Sequence, residues 1–321
     1  MNDTFSPIPP RLRFPGLNSS AFEHPGDRKA LEALRSTPGL DRLLKWLSDK
    51  GAERMLRIQY ATDSLRVSPK QCSRLYDDLK EACAILDVPE PELYISQNPY
   101  PSATSFGMQC HTVVLTTSLV DLLSNSERLF IIGRELGHIK AEHMLYRTMA
   151  TILADILKDA SDMFAIPAAV VSHSIVYALS AWFRKSELTA DRAGLLVAQD
   201  TSVCITALMK LVAGSHKLMD DLNPEEFVKQ AEFLEDVEDD MMGLYYKLAI
   251  LRMQAQPFPS VRAREMIEWS KTIQYRNLMD GVYPHSDPVA GQRTCKECGL
   301  LVTNITYKFC PDCGSELPGT K

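Results

Sequence analysis

At 321 residues the chain is long enough for one large domain with an appended module or for two ordinary domains, and its 45% hydrophobic content supports a substantial core. A formal net charge of -6 excludes a general phosphate-tracking surface, which needs an excess of Lys and Arg, so no nucleic-acid partner is expected. Of the eight cysteines, Cys72, Cys83, Cys110 and Cys204 are scattered whereas Cys295, Cys298, Cys310 and Cys313 cluster at the end, a division that reads as reduced thiols plus a metal site in a cytoplasmic protein.

Residues 1–26 open on a Pro-, Ser- and Asn-rich stretch without period and read as a flexible arm, and they lack the basic start and apolar run of a signal peptide. From Asp27 the pattern turns helical through Leu31 and Leu34, breaks at Pro38-Gly39, and resumes through Leu40, Leu43, Leu44 and Leu47. A further helix is predicted over 69–86, with Leu75, Leu79, Cys83 and Leu86 on one face. Leu93-Tyr94-Ile95 begins a strand, 98–103 reads as a turn-rich link, and the β-branched run 111–117 predicts a second strand.

Ser124 followed by Glu127 is a capping box, and Leu129, Ile132, Leu136 and Ile139 continue as a helical core stripe. Gly133 and Gly137 each cost about 1 kcal/mol against alanine in mid-helix, so they are expected to serve close packing or a site. The same helix carries Arg134-Glu135-Leu136-Gly137-His138, which has the spacing of a zinc-protease H-E-x-x-H with arginine at the first histidine position. In the intact motif two histidines on one helical face hold the metal and the glutamate activates a bound water.

The stretch 163–183 has no Asp, Glu, Lys or Arg and is about long enough to span a bilayer, but its Ala and Ser content, Pro167 and His173 favour a buried helix. Membrane contact through it is the alternative. The helix predicted over 186–199 places Glu187 and Asp191 on one face. Asn223-Pro224 opens another helix that runs past an acidic, solvated stretch at 235–240. A break at Gln256-Pro257 follows, the helical pattern returns over 261–274, and 281–293 has the composition of a linker.

The tail module, 294–321, holds Cys295-x-x-Cys298, eleven residues, then Cys310-x-x-Cys313. Each pair bites a metal from a tight turn, helped by Gly299 and Gly314, and four thiolates close a structural zinc shell. Such a zinc ribbon depends on its metal to fold and leaves no open position for catalysis.

Together the stretches at 27–275 resemble zinc endopeptidases of the CaaX-prenyl-protease and HtpX type, a gluzincin family. R-E-L-G-H-I-K-A-E-H matches that family's H-E-L-G-H-x-x-x-x-H with His143 as its last histidine, and E-L-T-A-D-R-A-G from Glu187 matches its E-x-x-A-D-x-x-G segment. The resemblance implies an α+β, mostly helical metalloprotease domain over 27–280 with a small sheet. It also implies Glu135 as general base, and His138 and Glu187 as zinc ligands with Asp191 beside them. Three positions depart from the family pattern: Arg134 for histidine, Ser102 for the asparagine of a substrate strand at 101–107, and Gln256 for a histidine that steadies the transition state.

A guanidinium has no lone pair for zinc. Either Arg134 takes the vacant position and pairs with Glu187, leaving active-site zinc doubtful, or zinc stays on His138, Glu187 and a substitute such as His111 or His143. His143 lies about 140° round a continuous helix from His138, so it serves only if the helix breaks. The expectation is a pseudopeptidase that binds protein or peptide in a retained cleft lined by Arg134, Asp191, His143, Ser102 and Gln256. An active metalloendopeptidase with an atypical ligand set is the alternative, and a scaffold working through its ribbon and acidic helix is a third.

Overall fold

The computed structural model describes residues 11–49, 52–108, 110–158, 173–236, 257–286, 293–302, 308–311 and 313–317. Helices α1 (Pro25–Arg35), α2 (Leu40–Asp49) and α3 (Ala52–Asp63) come first, followed by strand β1 (Ser64–Arg66) and helix α4 (Ser73–Leu86). Strands β2 (Glu92–Ser96), β3 (Ala103–Phe106) and β4 (Thr112–Thr116) complete a sheet of order β1-β2-β4-β3, with β2 and β4 parallel and both edges antiparallel. The remaining helices are α5 (Thr117–Leu122), α6 (Asn125–Lys140), α7 (Met144–Lys158), α8 (His173–Ala198), α9 (Thr201–Ala213), α10 (Pro224–Asp236), α11 (Pro259–Ser270) and α12 (Ile273–Met279). The short strands β5 (Arg293–Thr294) and β6 (Leu301–Val302) belong to the tail module.

Helix α6 is the centre of the fold. Its first turn is closed by the reciprocal bonds of the capping box, with Ser124 N donating to Glu127 Oε2 at 2.7 Å and Glu127 N to Ser124 Oγ at 3.5 Å. Every residue from Leu129 to Ile139 is buried, because α6 packs against α4, α8, α9 and β3 on successive faces. The approach to α8 is what Gly133 and Gly137 permit. A Cβ at Gly133 would lie 2.7 Å from Val197 Cβ, one at Gly137 would overlap Ala193 Cβ, and Gly194 of α8 returns the favour to Phe130 and Arg134. Gly137→Ala should therefore destabilise the protein by about 1–3 kcal/mol despite the gain in helix propensity, because overpacking outweighs it. Urea denaturation reads this directly, and a neutral or stabilising result would mean the helices can separate freely.

The N-terminal stretch differs from the sequence expectation. Within 11–26, Phe14, Leu17, Ala21 and Phe22 are fully buried, so this part is a packed strap, not a flexible arm. Their irregular spacing hid them, since residues inserted from a non-repeating loop carry no period. The strap is pinned by Leu12, whose N–H and C=O both bond Gln199, and by Asn18 N to Pro284 O and Ser286 N to Gly16 O. Residues 1–10 lie outside the described residues.

Of the charge-free stretch, 163–172 also lies outside them, while 173–183 starts α8 with Ile175, Leu179 and Trp182 buried and Tyr177 exposed. Among the described residues no helix is long and apolar enough to cross a membrane. The helix predicted over 69–86 starts at Ser73, and β3 occupies a stretch that begins where the predicted link ends.

Candidate active site and metal centre

Helix α6 projects Arg134, Glu135 and His138 toward Glu187 and Asp191 on α8, and four further elements add a charged or polar group each. Arg134 Nε donates to Asp191 Oδ1 at 2.7 Å, and its Nη2 bonds Glu187 Oε2. Arg147, from α7, places Nη1 2.8 Å from Glu187 Oε1 and 2.8 Å from His138 Nε2, while its Nη2 reaches Glu135 Oε2 at 3.4 Å. Ser105 of β3 donates to Glu135 Oε2 at 2.7 Å, and Arg262 of α11 grips Asp191 through Nε and Nη2 at 2.8 and 2.7 Å. The Arg147 guanidinium also lies over the Phe183 ring, 4.9 Å from its centroid.

His143 enters through the helix break that its participation requires. Helix α6 ends at Lys140, Glu142 adopts the left-handed conformation with φ +58°, and His143 N then donates to His138 O at 3.0 Å. This turn sets His143 Nδ1 3.0 Å from His138 Nδ1 and His143 Nε2 3.0 Å from Asp27 Oδ2, at the start of α1. The donors fix both tautomers, because a guanidinium only donates. His138 Nε2 accepts from Arg147, so its proton sits on Nδ1 and is given to His143 Nδ1, whose own proton on Nε2 is given to Asp27. Asp27 Oδ2 also accepts from Thr189 Oγ1 at 2.5 Å, tying α1 to α8.

The cluster is sealed from solvent, with Glu135 and Glu187 each 1% exposed and His138 0%. Burial would raise Glu187, but the Arg134 and Arg147 guanidiniums outweigh it and hold the carboxyl well below its ordinary value. Burial would likewise lower Arg134, but Asp191, Glu187 and Glu135 outweigh it and hold its pKa raised. Burial, reinforced by the Arg147 charge, pushes His138 well below its ordinary value of 6.5, so the ring is neutral.

Both depressed groups favour proton release in the folded state. The unfolded chain therefore binds more protons below pH 6.5 at His138, and below 4.5 at Glu187, and stability falls with acidification in both windows. A series of thermal melts from pH 7.5 to 4 should show the midpoint falling from about pH 6.5 downward, less so in His138→Gln. A midpoint that holds steady to pH 5 would contradict the neutral buried ring.

Residues 69–270 match the description Peptidase family M48. The chain belongs to this family. The plastoglobule-localized metallopeptidase 48, chloroplastic, of Arabidopsis thaliana is 34% identical over 276 residues, 85% of this chain and 78% of that protein. Protease HtpX homolog 2 of Methanosarcina acetivorans is 26% identical over 197 residues, covering 54% of this chain and 65% of that one. The Protease HtpX homolog of Pelotomaculum thermopropionicum is 28% identical over 214 residues, covering 58% and 73%. No solved structure matches the chain.

Peptidases of the M48 family use zinc. The helix site of this chain does not fit that metal. His138 Nε2 and Glu187 Oε1 are 3.3 Å apart, close to the separation of about 3.4 Å expected for two ligands on a tetrahedral zinc at about 2.1 Å. Arg147 Nη1 already bonds both atoms, and Arg134 takes the other Glu187 oxygen.

The four tail cysteines fit a metal ion well: their sulfur atoms lie within 4.8 Å of one another, with Cys295 to Cys313 at 3.6 Å and Cys298 to Cys310 at 3.5 Å. Those distances are far beyond a disulfide and near the edge of about 3.8 Å of a zinc–thiolate tetrahedron. Gly299 and Gly314, at φ +77° and +75°, let their N–H groups turn back to Cys295 O and Cys310 O at 3.0 and 2.9 Å.

The predicted residues divide accordingly. Arg134, Glu135, His138, Glu187, Asp191 and His143 converge, although His143 faces the ring nitrogen of His138 that is turned away from Glu187. Ser102 is exposed at the entrance to β3 and its N–H bonds Thr116 Oγ1 at 2.9 Å, apart from the cluster. His111 lines a surface cleft with Arg57, Glu90 and Glu92, and so is no substitute ligand. Gln256 lies outside the described residues. The sequence reading missed Arg147, Arg262, Ser105 and Asp27. Arg147 alone left a signal, as the cation in the apolar run M-L-Y-R-T-M-A, four residues beyond His143.

Proposed function

We propose that this chain is a non-hydrolytic member of Peptidase family M48 that binds a protein or peptide partner. The observation that carries the reading is the Arg147 guanidinium, whose Nη1 is 2.8 Å from both His138 Nε2 and Glu187 Oε1. An H-E-x-x-H peptidase needs those two atoms on the metal and its glutamate free to take a proton from bound water. Glu135 instead accepts from Ser105 and faces Arg147.

The partner's place is the outer edge of β3, the last strand of the sheet order, which no other strand covers among the described residues. An extended peptide pairs there through backbone bonds that require no metal. The tail cysteines hold a structural zinc. The division of the cysteines into scattered residues and one metal-type cluster supports a reducing compartment, which we assign as the cytoplasm, whereas the Arabidopsis relative is named for the plastoglobule.

Family membership and the retained Glu135 favour the second reading, an active peptidase with an atypical ligand set. Casein hydrolysis by zinc-supplemented protein separates the two. We expect no chelator-sensitive cleavage above that of Glu135→Gln. Chelator-sensitive cleavage that Glu135→Gln abolishes would establish the second reading.

A further inference from the structure

We infer that Arg134 and Arg147 act together as the stand-in for one divalent cation, so that a metal returns to the α6–α8 site only when both are removed. The inference rests on the metal-free site of the proposed function and concerns what keeps it so. Three observations carry it.

The first is charge. Around the metal position, with Asp27 set apart behind the two histidines, Glu135, Glu187 and Asp191 supply three carboxylates, and Arg134, Arg147 and Arg262 supply three guanidiniums, all buried, with each carboxylate bonded to at least one of them. Arg262 is spent on Asp191 through two bonds, so Arg134 and Arg147 provide the two positive charges that face Glu187 and Glu135. Exchanging both for one zinc leaves the cluster neutral. Exchanging Arg134 alone for a histidine leaves it one charge negative, and adding zinc then makes it one charge positive with a guanidinium against the metal. In a buried site neither imbalance is tolerated cheaply.

The second is position. The His138 and Glu187 donor atoms keep a metal-like bite of 3.3 Å, and it is an Arg147 nitrogen, not one from Arg134, that bonds both of them. Arg134 lies on the far side of Glu187, on Oε2 and on Asp191. Restoring the histidine of the motif would therefore supply a third ligand while leaving the metal position filled.

The third is the support of Arg147. It arrives from α7, after the break at Glu142, and is braced by Phe183 beneath its guanidinium and Glu135 beside it. Its backbone belongs to α7 and none of its bonds is to Arg134, so a substitution at Arg134 does not withdraw it. The titratable groups that face Arg147 are Glu135 and the neutral His138 of α6 and Glu187 of α8.

The test is the zinc content of full-length protein after equilibration with zinc and desalting, read by mass spectrometry, with circular dichroism confirming the fold. Wild type, Arg134→His and Arg147→Leu should each hold the one equivalent of the tail cysteines. Arg134→His/Arg147→Leu should hold a second, and lose it when Glu187→Gln is added. A second equivalent in Arg134→His alone overturns the inference while the proposed function stands, since wild type still holds one. A second equivalent already present in wild type and lost in Glu187→Gln overturns the proposed function instead.

A folded double variant without the extra zinc also overturns the inference. If the double variant folds only when zinc is present, the inference is supported. If neither it nor Arg134→His/Arg147→Gln folds with zinc, two guanidiniums are not replaceable by one cation and the inference fails.

Discussion

Arg134→Ala should lower the free energy of unfolding by about 3–5 kcal/mol, the usual cost of removing one partner from a buried ion pair. The loss strands charge rather than merely deleting a contact. Glu187 Oε2 would keep no guanidinium of its own, and Asp191 would depend on Arg262 alone, in a site where Glu187 and Asp191 are each 1% exposed. Lys229→Ala makes the control, because the Lys229–Glu226 pair is a surface contact on α10 worth about 0–1 kcal/mol. Urea denaturation of the two variants should therefore differ several-fold in effect. Equal, small effects would show that water reaches the cluster, and would remove the basis for treating its guanidiniums as structural cations.

Withdrawing the proposed zinc from the tail module should have a still larger local effect, since apparent zinc-binding energies of such sites are about 10–16 kcal/mol near neutral pH. Among the described residues its hydrophobic cluster is small, comprising Cys295, Leu300, Val302, Cys310 and Leu317, so two of those five are themselves thiols. Chelation of the full-length protein should release backbone protection around Gly299 and Gly314, where the turn bonds to Cys295 O and Cys310 O are made. Protection of the α6 amides should be unchanged, because that helix is held by its own core and ion pairs. Hydrogen exchange with and without chelator checks both halves of this expectation. Loss of protection in α6 as well would mean that a metal also supports the helix site.

What the sequence disclosed here was local or periodic. The capping box of Ser124 and Glu127, the stripe through Leu129, Ile132, Leu136 and Ile139, and the two helix glycines announced α6 and its close neighbour. The four-residue spacing of Glu187 and Asp191 likewise announced a shared face on α8, and both residues do turn toward Arg134.

The features that escaped depend on distant parts of the chain. Asp27 lies 162 residues from its partner Thr189, and Arg262 lies 71 from Asp191, separations at which no pattern in one sequence links the two. Arg147 is placed by a left-handed glutamate at 142, a conformation that residue type does not advertise. Strand β3 is four residues, Ala-Thr-Ser-Phe, too short and too polar to show alternation, yet it delivers Ser105 to Glu135. The sequence reading weighed Arg134 in the vacant metal position against zinc on a substitute ligand, whereas the nitrogen that bonds both His138 Nε2 and Glu187 Oε1 belongs to Arg147, outside the motif.

The central claim is that guanidinium groups, not a metal, join His138 to Glu187. Its most direct test is a crystal structure of protein grown with zinc, with anomalous difference maps recorded across the zinc absorption edge. The account predicts one zinc peak, enclosed by Cys295, Cys298, Cys310 and Cys313, and guanidinium density between His138 Nε2 and Glu187 Oε1. A second zinc peak between those two atoms, with Arg147 turned away, would contradict it.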